Sequence, residues 1–373
     1  MDPLLRHQQR QSLRIIISEF IMVLAVILTV IVLVFIVSGY WLNADFEVER
    51  QGLLQLSSIP TGADVSIDDS EPSWFQRTNM SKMLSSGEHT IRVTKNGYDT
   101  WTKTANISEG LLYRIHYARL FLKERKKENI SDLIGVTKAF VSEDHDTMLL
   151  YMGDLELLDI SLYADSLNKT QEDLSEPAIN WRLVNLNADK PEVKTITVRT
   201  LYDFFKEPKK ITEKDPLKEF GFERELTESE KMSILKFYED EYLIIADNST
   251  ITVYKKYETK PVLEASLSFV PSLTEVGHHG EFVVFSSNEK IATLDMETMS
   301  ITEWNLDGDT HGWIDDDMMY SIKDGELFVY DYDGLNRRPL AENVSERFHV
   351  IITNNKWLYY FSDNYLIREQ IVD

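Results

Sequence analysis

Cysteine is absent from the 373-residue chain. A fold stapled by disulfides and a cysteine-ligated zinc site are both excluded, so every packed domain must hold on its hydrophobic core. Positive charge is scarce too: 39 Lys and Arg stand against 62 Asp and Glu, a formal charge of −23. Such a surface repels nucleic acid and anionic headgroups, which are bound chiefly through Lys and Arg. Nucleic-acid binding is therefore discarded. The chain also lacks an H-E-x-x-H pair, a Gly-x-Ser-x-Gly elbow and a phosphate-cradling glycine loop. His278 and His279 are adjacent, so on a strand they point to opposite faces. Asp315-Asp316-Asp317 and Asp331-x-Asp333-Gly334 lack the later ligands of a calcium loop and read as turns. No catalytic residue, metal ligand or cofactor is assigned.

What is present begins with one long hydrophobic run. Phe20 to Leu42 is 23 residues without a charge, enough to span the ~30 Å hydrocarbon layer. Arg6, Arg10 and Arg14 precede it, while Asp45, Glu47 and Glu49 follow it. Residues 1–42 carry three Arg against Asp2 and Glu19, or +1, which leaves −24 for the rest. The positive-inside rule then makes 1–14 cytoplasmic, 15–42 an uncleaved transmembrane signal anchor, and the remainder extracytoplasmic. A cleaved signal peptide is the rival, disfavoured by the length of the run and by a poor small-residue cleavage site.

Beyond the run, the pattern alternates. Gly52–Ser57, Ala63–Asp68, His89–Lys95, Thr100–Asn106 and Tyr113–Leu122 read as five short strands, with turns at Ile59-Pro60-Thr61-Gly62 and Asn96-Gly97. They predict a small β-sandwich over 51–122. Ser58-Ile59-Pro60-Thr61-Gly62-Ala63-Asp64-Val65, then Ser86-Gly87-Glu88-His89-Thr90-Ile91-Arg92-Val93, then Lys95-Asn96-Gly97-Tyr98, resembles a PEGA domain. Thr61 stands where that family has its eponymous Glu, and Asn79 where a Thr-Pro step is usual. The resemblance implies a spacing, adhesive or wall-associating module of a bacterial or archaeal surface protein.

Lys123–Glu128 (KERKKE) is a charged run that reads as a linker. From about residue 130 an internal period emerges. Apolar strands start at Tyr242, Phe282, Met318 and Trp357, spaced by 40, 36 and 39 residues, each followed by a polar turn and a second strand. Met148–Ile160 with Trp181–Leu186 repeats the scheme. Such a period predicts propeller-like blades, five or six in the remaining chain. Ser321–Arg338, ending in Asp331-Tyr332-Asp333-Gly334-Leu335-Asn336-Arg337-Arg338, resembles a TolB-type blade. Residues 200–236 break the period. Lys206, Lys209, Lys210, Lys214 and Lys218 cluster there, and Thr227-Glu228-Ser229-Glu230 reads as a capping box, so a helical insertion is expected. The closing partner of the last strand is expected near Leu133–Val141.

The fold class expected is one transmembrane helix, then all-β: a PEGA-type sandwich and a propeller-like domain over 130–373. The function expected is binding at the cell envelope, with an envelope polymer or surface protein as partner. Trp304, His311 and Trp313 mark the candidate ligand face, around the inter-blade stretch Asp307–Thr310. A hydrolase using a carboxylate cluster remains an alternative, because acids that pair in a fold need not be close in sequence. Membership of a membrane complex is another.

Overall fold

The computed structural model describes residues 18–34, 40–42, 48–70, 76–132, 134–142, 145–154, 175–205, 216–223, 225–258, 260–277, 280–287, 289–308, 310–315 and 317–373. The chain divides into two compact units, Met1–Leu120 and Phe121–Asp373.

In the first unit, residues 18–34 form a helix whose side chains are all exposed. At 1.5 Å per residue it is about 26 Å long. Among the described residues no helix is long and apolar enough to cross a membrane. The last three residues of the span expected over 15–42 are extended and not helical. Tyr40–Leu42 is a strand, β1, paired antiparallel with Val48–Arg50. Tyr and Trp favour extended backbone, and here a ladder is available to them. Arg6, Arg10 and Arg14 lie outside the described residues.

The rest of this unit is a sandwich. β2 (Val48–Ile59) is the central strand of one sheet, antiparallel to β4 (Met80–Ser85) and parallel to β7 (Leu112–Arg119). The second sheet is β3 (Asp64–Ile67), β5 (Gly87–Thr94) and β6 (Trp101–Ile107). Alternation places Leu54, Leu56, Leu84 and Ile115 of the first sheet opposite Val65, Ile67, Ile91, Val93 and Trp101 of the second, all buried. Trp101 meets Tyr117 edge-on at 6.1 Å, tying the two sheets. The sequence reading missed β4 as well as β1. Met80–Ser85 is an edge strand with one buried side chain, Leu84, so it carries almost no periodic signal.

The second unit contains five separate four-stranded sheets among the described residues. Sheet one is β9 (Lys138–Val141), β10 (Thr147–Tyr151), β11 (Pro177–Asn185) and β12 (Val193–Thr197). Sheet two is β13 (Glu230–Phe237), β14 (Asp240–Asp247), β15 (Thr250–Lys255) and β16 (Pro261–Ser266). Sheet three is β17 (Leu273–Val276), β18 (Phe282–Ser286), β19 (Lys290–Asp295) and β20 (Ser300–Asn305). Sheet four is β21 (Thr310–Asp315), β22 (Met318–Lys323), β23 (Glu326–Asp331) and β24 (Arg338–Ala341). Sheet five takes β25 (Ile351–Thr353), β26 (Trp357–Ser362) and β27 (Tyr365–Gln370) from the chain's end, and its fourth strand, β8 (Lys127–Asp132), from the unit's beginning.

The periodic apolar runs are the second strands β14, β18, β22 and β26. Each is covered on both faces, which is why they read as continuous apolar stretches and not as alternating ones. Val283 and Phe285 pack on sheet two with Ile244 and Val253, while Val284, on the opposite face, packs on sheet four with Met319. Phe348, Ile351, Tyr359 and Phe361 of sheet five pack on Met148, Leu150 and Val184 of sheet one.

Between sheets one and two the scheme changes. The free face of sheet one, Leu149, Tyr151 and Trp181, is covered by the helix Val198–Phe205 through Leu201, Phe204 and Phe205. The free face of sheet two, Leu243 and Ile245, is covered by Leu217 and Phe220 from the short helix Pro216–Glu219 and its exit. The five sheets thus do not close directly into an unbroken propeller ring. The helical insertion is real but ends earlier than expected. Glu230 does accept from the Thr227 N–H at 2.7 Å, yet this closes a turn, and Glu230–Phe237 is the strand β13. Its register against β14 runs over eight pairs, and that ladder outweighs a local cap. Residues 206–215, with four of the clustered lysines, lie outside the described residues.

The charged run is not a free linker either. Lys127 and Glu128 open β8, and Arg125 Nε donates to Glu369 Oε1 at 2.6 Å. The closing partner of β27 is therefore β8, and Lys138–Val141 instead opens sheet one.

Candidate recognition face

Strand direction alternates within each sheet. The connections between sheets and the turns between second and third strands therefore fall at one end of the second unit. The connection from β10 to β11 and that from β12 to β13 both leave from that end. An open cleft of about 470 Å³ lies there between sheets two and three, lined by Phe269, Ser272, Ser287, Glu289 and Lys290. Its polar rim is internally paired: Lys290 Nζ donates to Ser268 Oγ at 2.8 Å, and the Ser268 N–H to Glu303 Oε1 at 2.9 Å.

The three residues singled out from the sequence meet at the seam of sheets three and four. Trp304 stands opposite Ile291 in its sheet, and Trp313 opposite Met319 in the next. Both indoles belong to one apolar cluster with Val284, Ile291, Met319 and Leu306. Trp304 lies 5.2 Å from the Tyr330 ring, and Gly334 sits on its face so closely that a Cβ there would be 2.5 Å from the indole. The tryptophans therefore cement the seam. They do not stand on the surface as an aromatic platform.

His311 faces the same seam opposite Ser321, half-buried. Burial pushes its ionisation below the ordinary value, so the ring is neutral at pH 7. Glu275 on β17, opposite Val284, faces sheet four, and burial raises its carboxyl. Tyr320 is raised to about 12, first by burial and then by the charge of Glu275, against a hydrogen bond with the Val350 backbone. Glu275 and His311 thus line the seam with their charged forms disfavoured, while Tyr320, on the face of β22 opposite to Met319, lies towards sheet five. At the outer edge of the seam Asp307 is held below the usual carboxylate range by the Lys323 ammonium at 2.6 Å, with Arg337 at 2.9 Å. The Asp307 carbonyl accepts from Ser321 Oγ at 2.8 Å, so the connecting loop is stitched to sheet four.

One constellation escaped the sequence reading. In the first unit, His89 Nδ1 lies 2.6 Å from Asp68 Oδ2, and Nε2 lies 3.3 Å from Ser85 Oγ. The residue types are those of a Ser-His-Asp triad, but Nε2 is also 2.9 Å from the Ser85 carbonyl. A carbonyl can only accept, so Nε2 carries a proton towards it and cannot take one from the hydroxyl. Burial opposes the His89 cation, yet the hydrogen bonds to Asp68 and Ser85 win and raise its pKa. For Asp68, burial is likewise overcome by His89 and the Thr90 N–H, and the carboxyl is lowered. This is an ionic clasp between the end of β3 and the corner where the chain passes from β4 in one sheet to β5 in the other. Asp331 and Asp333 form the turn expected of them: the Asn336 amide donates to Asp331 and the Leu335 N–H to Asp333, at 2.8 and 3.1 Å. Asp315 ends β21 and Asp317 lies in the turn before β22, while Asp316 and the His278–His279 pair are outside the described residues. No group of three or more His, Asp or Glu able to hold a metal occurs among the described residues.

The PEGA domain family matches residues 51–119, the sandwich of the first unit. No curated protein matches the chain. Among solved structures, similar chains include Hsv2 of Kluyvelomyces marxianus, at 9% identity over 64% of this chain and 62% of that one, with a TM-score of 0.28. The β-propeller domain of Cps50 (Swd1) from Myceliophteria thermophila is 8% identical over 76% and 80%, with a TM-score of 0.28. A functionally unknown protein from Desulfotomaculum acetoxidans is 7% identical over 73% and 69%, at 0.26. The chain spans less than two thirds of Hsv2.

Proposed function

We propose that this chain is a binding protein of a bacterial cell envelope. In this reading the charge-free run holds it to the membrane with the arginines inside, the PEGA domain is a spacer, and the second unit recognises a polymer or surface protein. The observation that carries the reading is the pairing of a PEGA-type sandwich with a stack of four-stranded sheets whose connections converge on one end. Loops held at one end of a rigid β scaffold are a common place for recognition. Glu275 and His311, whose charged forms burial disfavours, suit hydroxyl-rich or amide-rich ligands better than strongly charged ones.

Two measurements test it. External protease on intact cells or spheroplasts should remove everything beyond the apolar run, and protection until the membrane is opened would overturn the orientation. Purified protein should co-sediment with isolated cell wall or with a co-purifying surface protein. Substituting Asp307 with Ala, which loosens the loop at the sheet three–four seam, should weaken that binding. Undiminished binding would move recognition away from this seam.

A further inference from the structure

The sandwich carries an apolar row on its outer face. Met83 of β4 and Leu112 of β7 flank Leu53 of β2 in direct register, so all three side chains point away from the core. Met83 and Leu112 are 43% and 45% exposed, and the adjoining Leu111 is 62% exposed. Single exposed apolar residues are ordinary, but a contiguous row on a domain with a closed core marks a contact. The row is confined to one end of the sheet. Two residues further along β2 the same face reads Ser81, Gln55 and Arg114.

The apolar end is the end where β1 joins. Tyr40 pairs with Arg50, so the last three residues of the charge-free run are a strand of this very sheet. Leu53 is three residues from that pairing, about 10 Å along the strand. A flexible stalk would let the sandwich face any direction, whereas a hydrogen-bonded ladder fixes this sheet to the end of the run. We infer that Leu53, Met83, Leu111 and Leu112 seat the sandwich on the lipid surface, buried in the boundary between headgroups and acyl chains. An amphipathic surface of this kind sinks about 5–10 Å below the headgroups. The inference rests on the proposed membrane anchoring. It adds that the apolar end of the sandwich lies against the bilayer.

The absence of cysteine makes the test direct, because one introduced thiol is the one labelling site. The full chain bearing Met83→Cys, or Thr104→Cys on the exposed face of the other sheet, would be spin-labelled in vesicles of phosphatidylcholine and phosphatidylglycerol. Flotation with the vesicles reports anchoring by itself. The expected result is flotation of both variants, with relaxation by a water-soluble nickel chelate lost at position 83 but retained at 104, and relaxation by dissolved oxygen gained at 83. Flotation with position 83 still open to the nickel chelate would overturn this inference and leave anchoring intact. Dipolar broadening at 83 would overturn it in favour of a second copy on the row. Failure to float would remove the anchoring and the inference together. Leu112→Cys repeats the measurement on another strand, so misfolding of one variant cannot decide the outcome.

Discussion

Arg125 and Glu369, 244 residues apart, are joined by a 2.6 Å ion pair, and the Glu369 side chain is 1% exposed. Arg125 also donates to the Leu122 and Leu340 carbonyls, while Tyr360 and Lys127 complete the surroundings of Glu369. Arg125→Ala removes the main counter-charge of a buried carboxylate, and such losses cost about 3 kcal/mol. The urea midpoint of the second unit should fall accordingly, with the sandwich transition unmoved. A change below about 0.5 kcal/mol, the range of ordinary surface substitutions, would show that the pair is not a fastener.

The His89 clasp sets a pH dependence for the first unit. The pKa of His89 is raised in the folded state, so its contribution is full below the ordinary value of 6.5 and is lost as pH rises through the folded value. Asp68 is lowered, so its contribution is present above 3.8 and is lost as pH falls through its folded value. The sandwich should therefore melt highest between about pH 4 and 6 and lower at pH 8. His89→Gln should flatten the alkaline side of that profile. An unchanged slope in the variant would assign the pH dependence to other groups.

Two glycines with similar backbones should respond differently to alanine. Gly62 has φ +72° with nothing near its missing Cβ, while Gly334 has φ +78° with the Trp304 indole 2.5 Å away. Gly62→Ala should cost only left-handed strain, about 1 kcal/mol. Gly334→Ala adds overpacking of about 1–3 kcal/mol and should alter tryptophan fluorescence. Equal costs would mean that the contact on Trp304 is readily relieved.

Sheet five packs on sheet one through Phe348, Tyr359 and Phe361. Deleting residues 356–373 should therefore strip hydrogen-exchange protection from β8 and from β9–β10, far away in sequence, while sparing the sandwich. Persistent protection of residues 138–151 would mean that sheet one stands without sheet five.

Elements with a strong local signal were legible in the sequence. The buried second strands announced themselves as apolar runs, and the sandwich strands of 51–122 by alternation and turns. What stayed hidden depends on partners distant in sequence. β8 lies in a charged run because its Glu128 answers Arg368, and that pairing carries no periodicity. β13 was read as a helix because its cap is local and its ladder is not. Trp304, His311 and Trp313 do share one seam, but the packing role of the indoles is set by Gly334 and Tyr330 across it. Asp68, Ser85 and His89 come from three parts of the sandwich, and nothing in their spacing foretells the clasp.

The completion of sheet five by β8 also has a mechanical meaning. The Leu122 N–H is bonded to the Ile371 carbonyl at 2.9 Å, so the chain enters the second unit beside the strand that ends it. The connections between the sheets lie at the opposite end. A pull between Phe121 and those connections runs along β8, parallel to its axis. The hydrogen bonds to β27 then bear the load together in shear, with Arg125–Glu369 and Glu128–Arg368 as rivets at one end, and cannot peel open one at a time. The second unit is thereby strengthened along the axis that joins its entry to the connections between its sheets.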